Sequence, residues 1–124
     1  SHMRPVDVGL ELFSYPAMNR LLHLPCPPTA VLLLWDGLAP GAIAAIRDTC
    51  REVPRDVSLI GFNDDELCTL LTPRLSTVRQ DGEAMGEAAV RLLAERINRN
   101  TPIPPRTLIP SRFINRDTTT SPVK

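Results

Sequence analysis

Three short apolar runs, separated by stretches with helical periodicity, set the frame of this chain. Residues 30–34 read AVLLL and residues 58–62 read SLIGF. Neither run alternates polar with apolar positions, which is the pattern of a strand covered on both faces, as in a parallel sheet. Residues 75–80, LSTVRQ, predict a third strand. Between the first two strands, Ala39, Ala42, Ile43, Ile46 and Cys50 recur at helical spacing, so one stripe of that helix faces a core. Pro54 follows as a stop signal. Upstream, Ser14 suits the N-cap of a helix running to about Leu22, with Tyr15 and Pro16 in its first turn. A short helix is predicted over residues 65–71, ending before Pro73. The strongest helical pattern is DGEAMGEAAVRLLAERINR, whose apolar stripe is Met85, Ala88, Ala89, Leu92, Leu93 and Ile97. RTLIP and SRFIN then predict two short strands split by Pro110, and TTTSPVK reads as a loose tail.

Strand and helix in alternation predict an α/β fold built on a parallel sheet, with right-handed crossovers. Length changes this little: 124 residues make one domain or part of one. Ser1-His2-Met3 reads as an expression-tag remnant, so the native sequence is expected to begin at Arg4. The 14 basic and 14 acidic residues cancel, which argues against a surface that grips nucleic acid mainly by charge. Neither a signal peptide nor an apolar run long enough to cross a bilayer is visible. Cys26, Cys50 and Cys68 are an odd, widely spaced set, which suits free thiols in a reducing cytosol better than a disulfide framework.

The chemistry of interest lies just past the strands. In open α/β sheets, ligands bind beyond the carboxyl ends of the strands. Residues 30–34 run into Trp35-Asp36, and residues 58–62 run into Asn63-Asp64-Asp65. As parallel neighbours, the two strands would put an aromatic ring and several side-chain oxygens at one end of the sheet. Such groups accept hydroxyl hydrogen bonds and stack on rings. Asp36 and Asp64 equally suit the N-cap of the helix that follows each, and Trp35 equally suits the core. Catalytic patterns are poor. His23 stands alone in a loop, no GxGxxG, GxxxxGK[ST] or HExxH occurs, and no metal-ligand spacing is present. Asp36 and Asp64 could serve as acid and base in an enzyme fragment, but no reaction suggests itself. The arginines from Arg91 to Arg116 read as a solvated face.

Four stretches in order resemble the lactose/galactose repressor family of bacterial transcription regulators. They are PTAVLLLWDGLAPGAIAAIRD, VPRDVSLIGFNDDEL, TPRLSTVRQDGEAMGEAAVRLLAERI and LIPSRFINRDTT. The resemblance spans nearly the whole chain and corresponds to the carboxyl-terminal part of the family's effector domain. It implies a truncated lobe of periplasmic-binding-protein type, three layers thick with a parallel sheet. It also implies a small-molecule effector, sugar-like or related, held between two lobes. DNA would be bound only by an amino-terminal helix-turn-helix domain. The regulator would be a cytoplasmic homodimer and not an enzyme, with no cofactor, metal or membrane partner. A fragment of a periplasmic sugar-binding transport receptor is the alternative.

Carried onto this chain, the resemblance places the effector-binding lobe at residues 4–74 and an inter-lobe crossover strand at 75–80. Residues 81–105 form a helix and loop belonging with the amino-terminal lobe, residues 106–116 are closing strands, and 117–124 a disordered tail. Ligand contacts are expected from Trp35, Asp36, Asn63, Asp64 and Gln80. Trp35 stands where the family usually has asparagine, and Asn63 where it usually has aspartate. The dimer surface maps to Ser14, Met18, Ala42, Ala45, Ile46, Thr49, Cys68 and Leu71. With most of the amino-terminal lobe missing, the stripe of residues 82–99 would lie exposed, so the chain is expected to self-associate, with exchange of this helix between protomers as one route.

Overall fold

The structure, a computed structural model, describes residues 11–99 and 106–121. Among the described residues, four helices, α1 (Glu11–Leu22), α2 (Ala39–Asp48), α3 (Leu67–Leu70) and α4 (Gly82–Arg99), are threaded among four strands. These are β1 (Ala30–Leu32), β2 (Ser58–Phe62), β3 (Ser76–Arg79) and β4 (Arg112–Ile114), and a single 3-10 turn, Asp36–Leu38, links β1 to α2. The strands form one sheet in the order β1-β2-β3-β4. β1, β2 and β3 run parallel, with Leu32 beside Ile60 and Phe62 beside Val78. β4 returns antiparallel to β3, with Phe113 opposite Val78, so the sheet is mixed.

The core lies between the sheet and the α1–α2 pair. Met18 and Leu22 from α1, and Ala42, Ala45 and Ile46 from α2, close over Leu33, Val57, Leu59 and Leu75. Ala42, Ala45, Ile46 and Leu59 are fully buried. Burying such a side chain stabilises the fold by roughly 1.5–3 kcal/mol for the larger ones. α2 begins well because Pro40 falls in its first turn, where its missing N–H costs no helical bond.

Several expectations change here. The α/β class stands, but α1 and α2 cover one face only. On β2, Leu59 and Gly61 are buried while Ser58, Ile60 and Phe62 are half-buried. Leu32 and Phe113 are more than half exposed on that second face. The third layer is therefore not supplied by the described residues, and continuous apolarity in β2 marks a face awaiting cover. Ser14 is not an N-cap: it is buried inside α1, which already includes Glu11, and Pro16 lies within the helix. Cys50 leaves the α2 stripe because the helix ends at Asp48, and it turns outward with φ 58°. β1 stops at Leu32, and Leu34 is 87% exposed. Residues 106–110 form no strand. Residues 117–121 are not a loose tail, because Thr118 is fully buried and stitches two strands. Its hydroxyl donates to the Leu59 carbonyl and accepts from the Ser76 N–H, each at 2.8 Å. Asp117 holds Arg74 through two carboxylate bonds. The expected tag (residues 1–3), the loop at 100–105 and the last three residues lie outside the described residues.

The surface expected for dimer contact is mostly interior. Ser14, Met18, Ala42, Ala45, Ile46 and Cys68 are all under a tenth exposed, and only Thr49 and Leu71 keep partial exposure. A side chain sealed against its own sheet has no surface left for a second molecule. The open apolar surface lies elsewhere, on α4, where Met85, Val90, Leu93 and Ile97 are 45–73% exposed and Ala88 alone is buried.

Candidate functional site

Parallel pairing brings the carboxyl ends of β1, β2 and β3 to one edge of the sheet, and the polar residues that follow them meet there. Asp36 sits underneath. It is fully buried, and each of its oxygens is engaged. Oδ1 accepts the Thr77 hydroxyl at 2.7 Å, and Oδ2 accepts the backbone N–H of Asp65 at 2.9 Å. Gly61 makes room for this carboxylate, since a Cβ there would stand 2.0 Å from Asp36 Oδ1 and 2.7 Å from Leu75. The Cys68 thiol lies beside the same carboxylate. Burial first, and then the neighbouring Asp36 carboxylate, push that thiol up to about 12. Asp36 thus fills neither role open to it on sequence: it caps no helix with its side chain, and it presents no surface to a ligand. It ties β1, β3 and the Asn63–Asp65 turn together.

Asp64 is likewise occupied. The turn out of β2 takes Asn63 to φ 113° and Asp64 to φ 62°, left-handed conformations that Asn and Asp tolerate better than most residues. This swings the Asp64 carboxylate between two guanidinium groups. Arg116 Nη2 donates to Oδ1 at 2.7 Å, and Arg79 donates to Oδ2 from Nε at 2.6 Å and from Nη2. The Asp64 side chain is 3% exposed. Burial is the largest single influence on its carboxyl and pushes it up. The bonds and charges of Arg116 and Arg79 together outweigh burial and hold it below its ordinary value. Arg116 is itself fixed, through Nη1 to the Leu75 carbonyl at 2.9 Å.

What remains at the rim is a different set. Trp35 is 37% exposed. Its indole N–H donates to Asp65 Oδ2 at 2.7 Å, and its benzo ring lies over Gly37, 3.0–3.1 Å from where a Cβ would be. Asn63 is exposed and donates through Nδ2 to Asp65 Oδ1 at 2.8 Å. Arg79 is half exposed beyond its bond to Asp64, and Gln80 beside it is half-buried. The five residues expected at the site therefore cluster at one sheet edge, in two tiers: Trp35, Asn63 and Gln80 in the rim, Asp36 and Asp64 in the framework.

Asp65, Thr77, Arg79 and Arg116 complete the cluster without having been singled out as contacts. Arg79 had a signal, two positions after Thr77 at the ligand end of β3. Arg116 had none, and its reading as part of a solvated face is corrected by its 14% exposed side chain. His23 stays an exposed loop residue, bonded to the Asn19 carbonyl. A cavity of about 770 Å3 lies apart from this cluster, against Ala30, Ser58, Ile60 and Phe113. It lies on the less covered sheet face, where apolar Ala30, Ile60 and Phe113 meet polar Arg55, Asp56, Ser58, Asn115 and Thr119. Among the described residues no cluster of His, Cys, Asp and Glu could hold a metal ion, and no helix is long and apolar enough to cross a membrane.

The periplasmic binding protein-like domain family matches residues 5–119. The chain belongs to this family. Within it, the relatives are lactose/galactose-type repressors. The chain is 40% identical over 84 residues to a lactose operon repressor of Rhizobium radiobacter, covering 68% of this chain and 74% of that sequence. Of other curated relatives it spans far less, 32% of a RegA regulator from Clostridium saccharobutylicum and 25% of a PurR repressor from Mannheimia succiniciproducens. Among solved structures, the lac repressor dimer bound to operator and the anti-inducer ONPF superposes with a TM-score of 0.74 at 28% identity, over 87% of this chain and 37% of that one. A LacI family regulator from Enterococcus faecium with bound ribose gives 0.70 at 28% identity, over 92% and 41%. The family thus accounts for the mixed α/β lobe. This chain is a LacI-type effector-domain segment.

Proposed function

We propose that this chain is the effector-binding and self-association region of a LacI-type transcription regulator. A small molecule, sugar-like or related, binds between two lobes and modulates DNA binding by a helix-turn-helix domain carried elsewhere in the protein. The observation that carries this reading is the rim itself. Trp35, Asn63, Asp65 and Arg79 converge at the carboxyl ends of three parallel strands, where ligands bind in open α/β sheets. The bound ribose of one relative and the anti-inducer of another support it. Residues 4–74 form one lobe, 75–80 cross to the second, and 81–105 belong with that second lobe. The protein acts in the cytoplasm and catalyses no reaction.

Self-association follows from the surface. α4 leaves Met85, Val90, Leu93 and Ile97 exposed, and β1 and β4 leave Leu32 and Phe113 exposed. On α4 these residues share one helix face, and an exposed apolar stripe of this kind marks a contact face. The dimeric state of the lac repressor structure supports a homodimer for the whole protein. Reading the frame upstream of Arg4 tests the proposal. A helix-turn-helix segment is expected roughly 200 residues ahead, leaving room for a further lobe. An export signal with no such segment would overturn it in favour of a transport receptor.

A further inference from the structure

β3 and β4 set two arginines directly opposite one another. In their antiparallel register Arg79 faces Arg112, one step beyond Val78 and Phe113. Opposed residues of such a pair send their side chains to the same face, about 5 Å apart at Cβ, and like charges placed so destabilise a sheet. Thr77, two residues before Arg79 and so on the same face, bonds the buried Asp36, which puts both arginines on the Asp36 side of the sheet. Arg116 reaches this corner from beyond β4 through its bond to Asp64. Three guanidinium groups and one carboxylate share the corner, which leaves two positive charges in excess. Asp64 engages Arg79 and Arg116. Arg112 is exposed, and among the described residues its guanidinium makes no ion pair or hydrogen bond. The carboxylates nearest in sequence turn elsewhere, Asp81 to the Ala84 N–H and Asp117 to Arg74. Arg79 holds Asp64 from Nε and Nη2 and stays 55% exposed, with Nη1 left over.

We propose that Arg79 and Arg112 form an anion site that holds a phosphate group, as free phosphate or as the monoester of a small molecule. The planar fork of a guanidinium matches phosphate oxygens two at a time. A monoester carries close to two negative charges at neutral pH, which cancels the excess at this corner. Repulsion across the strands then becomes a bridge: Arg112 offers its whole fork, and Arg79 adds Nη1 while keeping Asp64. A neutral ligand would leave the opposed charges in place, so charge is what sets this ligand apart. The site stands on β3 and β4 and uses none of Trp35, Asp36 or Asn63, so it does not depend on a sugar-like effector at the rim.

Calorimetry of the chain in phosphate-free buffer, at constant ionic strength, tests this with inorganic phosphate and methyl phosphate as probes. Saturable one-to-one binding of at least one probe is expected, and the tighter of the two tells free phosphate from a monoester. Arg112→Gln should weaken binding about tenfold or more, the scale of one lost bond to a charged group. Arg112→Lys keeps the charge without the fork and should lose less. Arg47→Gln removes an exposed arginine on α2 and should bind as the parent chain does. Thermal denaturation gives a second readout. Arg112→Gln relieves the opposed charges, so its midpoint without phosphate should lie above the parent's. Phosphate should raise the midpoint of the parent chain and leave that of Arg112→Gln in place. Failure of both probes to saturate would overturn the assignment, as would parental binding by Arg112→Gln or an equal loss in Arg47→Gln.

Discussion

The buried carboxylate of Asp36 accepts the hydroxyl of Thr77 at 2.7 Å across the sheet edge. Both residues are fully buried, so neither partner can turn to water if the other is removed. Thr77→Val removes a bond to a charged group and is expected to cost about 1.5–3 kcal/mol. Asp36→Asn turns an acceptor into a donor facing Thr77 or the Asp65 N–H, and should cost a similar amount. A double-mutant cycle by urea denaturation checks this, with a coupling of roughly 0.5–3 kcal/mol expected between the two positions. Additive effects would mean that the bond contributes nothing as a pair.

Asp64 makes the fold sensitive to acid. Its carboxyl is held below the ordinary value of 3.8, so its contribution is fully present above that pH. The contribution fades as pH falls below 3.8 and through the lower folded value. Denaturation midpoints measured from pH 7 to pH 2 should fall along this limb in the parent chain. Asp64→Asn should flatten that part of the limb and lower stability at pH 7 by about 3 kcal/mol, the low end for a broken buried pair because Arg79 is half exposed. An unchanged limb in the variant would show that other carboxylates carry it.

Cys68 is predicted to be inert. It is fully buried, and its thiol is pushed up to about 12, so almost no thiolate exists at neutral pH. Cys26 and Cys50 are exposed. Titration with a thiol reagent at pH 8 should therefore modify Cys26 and Cys50 rapidly in the folded chain, and Cys68 only after denaturant is added. Fast labelling of all three in the native state would contradict the packing around Asp36.

The two tiers of the site were unequally legible. The convergence of Trp35 with Asn63 followed from two apolar runs that end in polar residues and pair as parallel neighbours, a local pattern. The division of labour did not, because Asp36 and Asp64 are committed by partners 41 and 52 positions away, Thr77 and Arg116. Spacing along the chain carries no trace of such bonds. The same holds for Thr118, which reads as one of a threonine run yet is fully buried between Leu59 and Ser76. The periodic stripe of α2 places Ala39, Ala42 and Ile46 against a core, where they lie; the contact surface that included Met18 and Ile46 came from the family resemblance, and their burial contradicts it.

The exposed stripe of α4 predicts association. Leu93 and Ile97 lie one turn apart and are 60% and 73% exposed. Sedimentation at rising concentration should show a dimer or larger species. Replacing both residues with lysine should shift the chain toward monomer without lowering its denaturation midpoint, since neither joins the core. A clean monomer at high concentration in the unaltered chain would count against this surface as a contact.

The central claim is that this sheet edge serves a DNA-binding regulator. Chromatin immunoprecipitation of the protein encoded by the whole reading frame, in its own cell, tests it most directly. The account predicts a small number of sharp genomic sites whose occupancy changes when the growth substrate is changed. Occupancy no higher than that of a protein without a DNA-binding domain, under every substrate supplied, would contradict it.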